Sequence, residues 1–459
     1  MTDLVLRARR VVTPEGTRPA TIHVTAGRIT AVEPYSQVGS GLPLVDAGEA
    51  VILPGLVDTH VHVDEPGRTD WEGFATATRA AAAGGITTLL DMPLNSIPAT
   101  TTVAALEVKR AAARGQTAVD VGFIGGVVPG NVGELPGLHA AGACAFKCFL
   151  VPSGTADFPS VTEPDLRAAL PVLAELGALL MVHAELPGPI DQAARLSTGD
   201  VRRHATWLAA RPAEAEHQAI ELLAALALEY RVRIHVVHVA SADSIPILAA
   251  ARRRGADLTA ETCPHYLTFD ADEIPDGATE YKCAPPIRGS INRERIWEAL
   301  TRGDLASVVS DHSPCPPAMK RAESGDFLAA WGGIASLQLG LAATWTGARA
   351  RGLPFERLAE WMSAGPARLV GLEQSKGAIA VGRDADLVVW SPEGEFVVEA
   401  AGLRHRHPLT PYLGRRLAGV VEATYLRGAP VFRRGAPDTP PRGRLIGQQR
   451  PVSRGGDPR

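Results

Sequence analysis

Residues 51–65 read VILPGLVDTHVHVDE. An apolar, β-branched run, interrupted at Pro54-Gly55 and closing on His60-Val61-His62, is a strand with its end attached. Side chains at i and i+2 of a strand share a face. His60 and His62 therefore point together, while Val61 and Val63 point the other way. Two imidazoles side by side at a strand end are half of a metal site. The alternative is a pair of hydrogen-bonded core histidines. The two readings are separated by whether later strands end in similar groups.

Downstream, short apolar strands alternate with Ala/Leu-rich helical stretches, the pattern of repeated βα units around a parallel sheet. Eight strand candidates follow one another: 56–63, 86–91, 119–124, 144–150, 178–183, 233–238, 257–263 and 306–311. Helices are predicted over 71–83, 162–176, 242–254 and 291–301, with a longer helical crossover over 205–230 and closing helices over 327–350 and 355–363. This predicts an α/β fold, a (β/α)8 TIM-type barrel spanning 51–375. Residues 1–50 and 376–435 carry β signals and turns instead. Neither end has a core of its own, so the two are expected to pair into one small β-sandwich domain. Residues 436–459, rich in Arg, Pro and Gly, read as a partly disordered tail.

The composition narrows the function classes. Hydrophobic residues make up 46% of the 459 and charged residues 21%, as in an ordinary globular protein. The net charge is −4 and no basic block stands out, which argues against nucleic acid. No apolar run is long enough to span a membrane, and the first 30 residues lack the core of a signal peptide. Five cysteines, an odd number without a CxxC pair, speak for a reducing cytoplasm rather than a disulfide framework. Cys144 and Cys148 could be zinc ligands, but buried small hydrophobes fit better.

A barrel of this kind places its active site at the C-terminal ends of its strands. Those ends carry His60 and His62, Asp91 followed by Asn95, Lys147, His183, His238, Cys263-Pro264-His265, and Asp311. His235, three residues before His238, is expected to face away and to be structural, and His312 likewise alternates away from Asp311. Lys147 sits among Phe146, Cys148 and Phe149, where a charged amine is costly. It is either ion-paired with Asp91 or Asp311, or chemically modified. Desolvation favours the neutral amine, which can add carbon dioxide to give a carbamate with two oxygens.

The order His60-x-His62, Lys147, His183, His238, Asp311 resembles the amidohydrolase superfamily, in its cyclic-amidase branch of allantoinases, dihydroorotases and hydantoinases. The segments 62–73 (HVDEPGRTDWEG), 91–96 (DMPLNS), 146–149 (FKCF), 310–317 (SDHSPCPP), 331–333 (WGG) and 376–386 (KGAIAVGRDAD) are similar to allantoinases. The resemblance implies two divalent metal ions, zinc above all. His60 and His62 would hold one, His183 and His238 the other, carboxylated Lys147 would bridge them, and Asp311 would be both ligand and proton shuttle. It further implies that a hydroxide held between the metals opens the hydantoin ring of allantoin to allantoate in purine (ureide) degradation. The partner is then a small cyclic amide, and the assembly a homotetramer.

Substrate contacts are expected from Asn95, Ser153, Gly154, His265, Ala284, Pro286 and Ser313. Asn95 reads equally as an Asx-type turn. Ser153-Gly154 reads as a mobile cover or as an ordinary connector. Ala284 stands where the family often has serine. Asp58 shares the inward face of His60 and is expected to support it. Dihydroorotases carry an arginine two residues after the second histidine, where this chain has Asp64. Hydantoinases and dihydropyrimidinases carry a tyrosine shortly after the lysine, and residues 149–154 (FLVPSG) have none. Catalytically dead scaffolds of this fold lose metal ligands, whereas this chain retains all six.

Overall fold

The computed structural model describes residues 3–38, 41–196 and 199–447. Both chain ends build one eight-stranded sheet. Leu4–Thr13, Gly16–Thr25 and Arg28–Pro34 form an antiparallel meander, and Leu387–Val397, Arg416–Leu426 and Ala429–Arg433 form another. Val51–Pro54 joins the two, parallel to the first strand at Arg10–Val11 and antiparallel to Leu387–Trp390, and the short strand Leu44–Asp46 runs parallel to the first strand at Val5–Arg7. The sheet curls over a shared core in which Leu6, Ile22, Val24 and Ile29 meet Leu387, Ala423 and Tyr425. Alternation of buried and solvated positions on a half-covered sheet brings the apolar faces of both chain ends into this one core.

At Gly55 the chain leaves this sheet for the barrel. A Cβ there would come within 2.2 Å of the Thr87 hydroxyl, so only glycine allows the close approach. The barrel strands are Leu56–Val61, Ile86–Asp91, Asp120–Phe123 continued by Gly125–Gly126, Phe146–Phe149, Leu179–His183, Arg233–Val236, Leu258–Thr262 and Ser307–Val308. Residues 120–126 pair with the second strand through their first half and with the fourth through their second half. The ring meets itself where Val61 bridges His312 and His62 N donates to His312 O at 2.8 Å. Helices cover the outside. Glu163–Leu176 shows how: Thr162 and Asp165 cap its start reciprocally, Leu166, Leu170 and Leu173 face the barrel, and Gly177 ends it at φ 62°.

One expectation is corrected. Residues 327–339 are not helical, and the closing helix is Gly340–Ala350. The segment runs alongside the eighth strand instead, with Ser313 N donating to Ile334 O and Gly333 N to Lys282 O. Gly333 has φ 127°, and a Cβ there would meet Ser313 O at 2.3 Å, so the Trp331-Gly-Gly step is built for close contact rather than for a helix. The long crossover is helical as expected, over His204–Ala210 and Ala213–Tyr230, and a further helix, Pro187–Leu196, precedes them. Part of the expected tail packs on the barrel: Gly443 N and Ile446 N donate to Thr117 O and Val121 O, and Val121 N donates to Arg444 O, along the edge of the third strand opposite the second. The rest of the expected disordered tail, 448–459, lies outside the described residues. Among the described residues, no helix is long and apolar enough to cross a membrane.

Candidate metal centre

The first strand ends with His60 and His62 buried, their ring centroids 5.6 Å apart. Asp58 supports this end from the same face: its carboxylate accepts from His60 N at 3.1 Å and from Ser310 N at 3.0 Å, tying the first strand to the eighth. Burial pushes the Asp58 carboxyl up to about 7. His60 Nδ1 lies 2.8 Å from Glu261 Oε1, which leaves Nε2 facing Asp311 Oδ1 at 3.2 Å. His62 Nε2 lies 3.5 Å from the same oxygen.

Across the barrel, the ring centroids of His183 and His238 are 4.6 Å apart, and those of His60 and His238 are 5.4 Å apart. His183 Nε2 is 2.7 Å from Glu185 Oε2, and Phe149 stacks on the His183 ring at 4.6 Å. Ligand-type atoms of His60, His238 and Asp311 all lie within 4.8 Å of one another. His238 and Asp311 both adopt left-handed backbone, φ 41° and 44°, a strained conformation for non-glycine residues that re-aims a side chain at a strand end.

The electrostatics suit cations. Burial lowers His60, His183 and His238, keeping their imidazoles in the neutral form that ligates. Burial opposes ionisation of Asp311, but His60, His62 and His238 outweigh it and hold the carboxyl well below its usual range. Lys147 is fully buried, and its Nζ has no hydrogen-bond partner among the described residues. Burial brings the amine down to about 8, against the pull of Asp311 and Glu261. The suggested ion pair with Asp91 does not form, because Asp91 is held by Lys109 Nζ at 2.7 Å.

His235 corrects the sequence reading. It aligns with Met181 and Thr259 in the strand ladder, and its Nε2 lies 3.0 Å from Glu261 Oε2. It therefore faces the barrel interior, one layer below the four histidines. Alternation fails because the strand stops at Val236 and His238 turns left-handed. His312 behaves as expected. It turns away to Glu72 Oε2 at 3.3 Å and accepts the backbone amides of Ser336 and Leu337.

Above the centre lies a cavity of about 250 Å³. Asn95, Ser153, Gly154, Ala284 and Ser313 line it, whereas His265 and Pro286 are buried outside its lining. Asn95 Nδ2 approaches His62 Nδ1 at 3.4 Å, and Asn95 sits at φ 68°. Ser153 Oγ donates to Phe158 O at 2.7 Å within its own loop. Ser313 Oγ donates to Asp311, 2.7 Å from its backbone oxygen and 3.0 Å from Oδ1. Sequence reasoning missed Glu261, Glu185, Trp207, Arg211 and Lys282. Glu261 alternates with Thr259 on the inward face of its strand, a signal that was there to read. The other four depend on how the crossover and loops fold back.

A profile described as the amidohydrolase family matches residues 51–431. An allantoinase of Streptomyces avermitilis is 52% identical over 97% of this chain and 99% of its own. An allantoinase of Arabidopsis thaliana is 44% identical over 94% of this chain and 88% of its own. Among solved structures, the L-hydantoinase (dihydropyrimidinase) of Arthrobacter aurescens is similar with a TM-score of 0.92, at 30% identity, over 97% of this chain and 100% of that one.

Proposed function

The chain belongs to the amidohydrolase family, and on that premise we propose that it is an allantoinase, hydrolysing the ring amide of allantoin to give allantoate. The observation that carries the reading is the gathering of four histidines and Asp311 at the strand ends, with a buried Lys147 amine that has no hydrogen bond among the described residues, in a chain whose near-full-length relatives include allantoinases.

The donor set fits two divalent ions. His60 and His62 would hold one and His183 and His238 the other. A carboxylated Lys147 would lie between them, and Asp311 would be a further ligand. Neutral imidazoles, a carboxylate and a carbamate favour zinc. When bound, such a pair supplies a nucleophilic water at neutral pH and polarises a carbonyl. The Lys147 Nζ supports the carbamate, since an unmodified ammonium would be buried with no hydrogen bond among the described residues.

The chain's own residues do the rest. Asp311 is ionised and stands between His60 and His62. It takes the proton from water as oxygen adds to the ring carbonyl carbon. As the carbon–nitrogen bond breaks, it gives that proton to the ring nitrogen. Ser313 Oγ steadies the carboxylate, and Phe149 keeps the His183 ring in place. The products are a carboxylate and a second ureido group.

Dihydroorotase activity suits the site poorly. Asp64, where an arginine would be needed, is buried and its carboxyl is pushed well up by burial, Asp91 and Glu72. A hydantoinase would need the tyrosine absent from residues 149–154. The reading carries with it a place in purine (ureide) degradation, a homotetramer, and a reducing cytoplasm, in keeping with five free, buried cysteines. The test is a substrate panel on metal-analysed protein. A kcat/KM for hydantoin, dihydrouracil or dihydroorotate equal to that for allantoin would move the assignment to that branch.

A further inference from the structure

The crossover that follows the fifth barrel strand brings two side chains to the cavity wall that the centre itself does not require. Trp207 and Arg211 are one helical turn apart at the end of His204–Ala210, and both line the cavity. Trp207 Nε1 donates to Cys283 O at 2.8 Å, which fixes the indole plane. Lys282 Nζ stands 4.3 Å from the indole centroid and Arg211 Cζ 5.3 Å. Arg211 clamps Glu185, with Nε 3.0 Å from Oε1 and Nη2 on Oε2, while its Nη1 has no hydrogen bond among the described residues.

Most donors on this wall are already engaged. Arg211 is neutralised by Glu185, and Lys282 Nζ gives two donors to Leu328 O and Ala330 O. What remains is an unused guanidinium N–H beside a fixed aromatic plane. Leu94, Phe149 and Pro152 also line the cavity, and the Ser153 hydroxyl is committed to its own loop. A planar group with a strong acceptor oxygen suits the free guanidinium N–H and the indole plane.

We propose that the crossover is the specificity element for the substituent at C5 of the ring: Arg211 Nη1 donates to the ureido carbonyl oxygen, and Trp207 lies against the arm's planar face. This rests on the allantoinase reading. Because the same guanidinium holds Glu185, which holds His183 Nε2, arm binding and the placement of His183 share one side chain.

The test uses metal-loaded protein with allantoin as substrate and unsubstituted hydantoin as competitor. Hydantoin is the ring without the arm, and a competitor needs no turnover. Arg211→Lys can retain an ion pair to Glu185 and removes the planar fork that presents Nη1. Trp207→Leu removes the plane and leaves Glu185 untouched. Each is expected to raise KM for allantoin about tenfold, the value of one charge-assisted hydrogen bond or stacked face, with Ki for hydantoin moving less than about twofold. Glu185→Gln, a control that acts on His183, should move both constants together. KM and Ki rising in parallel in both Arg211→Lys and Trp207→Leu, or an unmoved KM in both, would overturn arm recognition. If one variant does not fold, the other decides by the same criterion. A wild-type protein that opens hydantoin and not allantoin would instead sink the allantoinase reading, and the arm proposal with it.

Discussion

Glu261 Oε1 lies 2.8 Å from His60 Nδ1 in the barrel interior, and the other oxygen of the same carboxylate lies 3.0 Å from His235 Nε2. The carboxylate thus decides which nitrogen of His60 faces the centre. Burial opposes its ionisation, but His235 and His60 overcome it and hold the carboxyl down at about 2. Glu261→Gln should therefore cost about 10–100-fold in metal affinity or kcat/KM, as loss of a carboxylate behind a ligating histidine does. Metal content after dialysis, with circular dichroism to check the fold, measures it. A variant that keeps both ions and full rate would show the contact to be incidental.

Lys147→Ala should lose metal and turnover together, because the two oxygens of the carbamate go with the amine and Asp311 alone remains as an oxygen donor beside the histidines. Short carboxylic acids added to that variant should restore part of both by taking the carbamate's place. Full activity in the untreated variant would dispose of the bridge.

Asp311→Asn should fold normally and lose turnover by at least about 10²–10⁴-fold, since an amide cannot accept the proton. Stopped assays on metal-matched samples would read it. Near-wild-type rates would end the proton-carrier role.

Buried histidines set an acid limit on stability. His204 packs against Phe327 with both ring nitrogens unbonded among the described residues, and burial lowers it to about 4. The unfolded chain binds its proton near 6.5, so between about pH 6.5 and 4 the unfolded state holds more protons. The contribution is complete above 6.5 and falls as pH drops through that window. His204→Leu should flatten the Tm profile there and leave its slope above pH 7 alone.

Lys376 is surrounded by Asp120 at 2.7 Å, Asp384 at 3.0 Å and Asp386 at 2.6 Å, joining the third barrel strand to the chain-end sheet. Lys376→Met would leave buried carboxylates with Arg427 alone. The expected loss is about 3–5 kcal/mol, read by denaturant unfolding. A loss below about 1 kcal/mol, the scale of a surface ion pair, would mean that Arg427 suffices.

Much of this was legible in the chain because strand alternation is strict. His60 and His62 share a face by parity, and the second strand was bounded at Ile86–Asp91 by apolar β-branched residues between turns. Parity misled at His235, since it holds only while backbone stays extended, and the sixth strand ends before His238. Residues 327–339 misled for a related reason: apolar spacing suggested a helix, while contacts from Ser313 and Lys282 draw the segment straight. Arg211 and Glu185 were out of reach because a folded crossover joins them, 26 residues apart, and no period records it.

The curled sheet has a consequence for how the molecule is made. Leu4–Thr13 and Val51–Pro54 leave the ribosome ahead of the whole barrel, yet Val51–Pro54 is completed on one side by Leu387–Trp390, which is translated near the end. Throughout synthesis that apolar strand, buried along its whole length in the finished protein, keeps an open edge able to capture another nascent chain. A ribosome that stops after the barrel therefore releases a client for chaperones and proteases, and not a shorter enzyme. The last strands to be translated decide whether the first ones were worth translating.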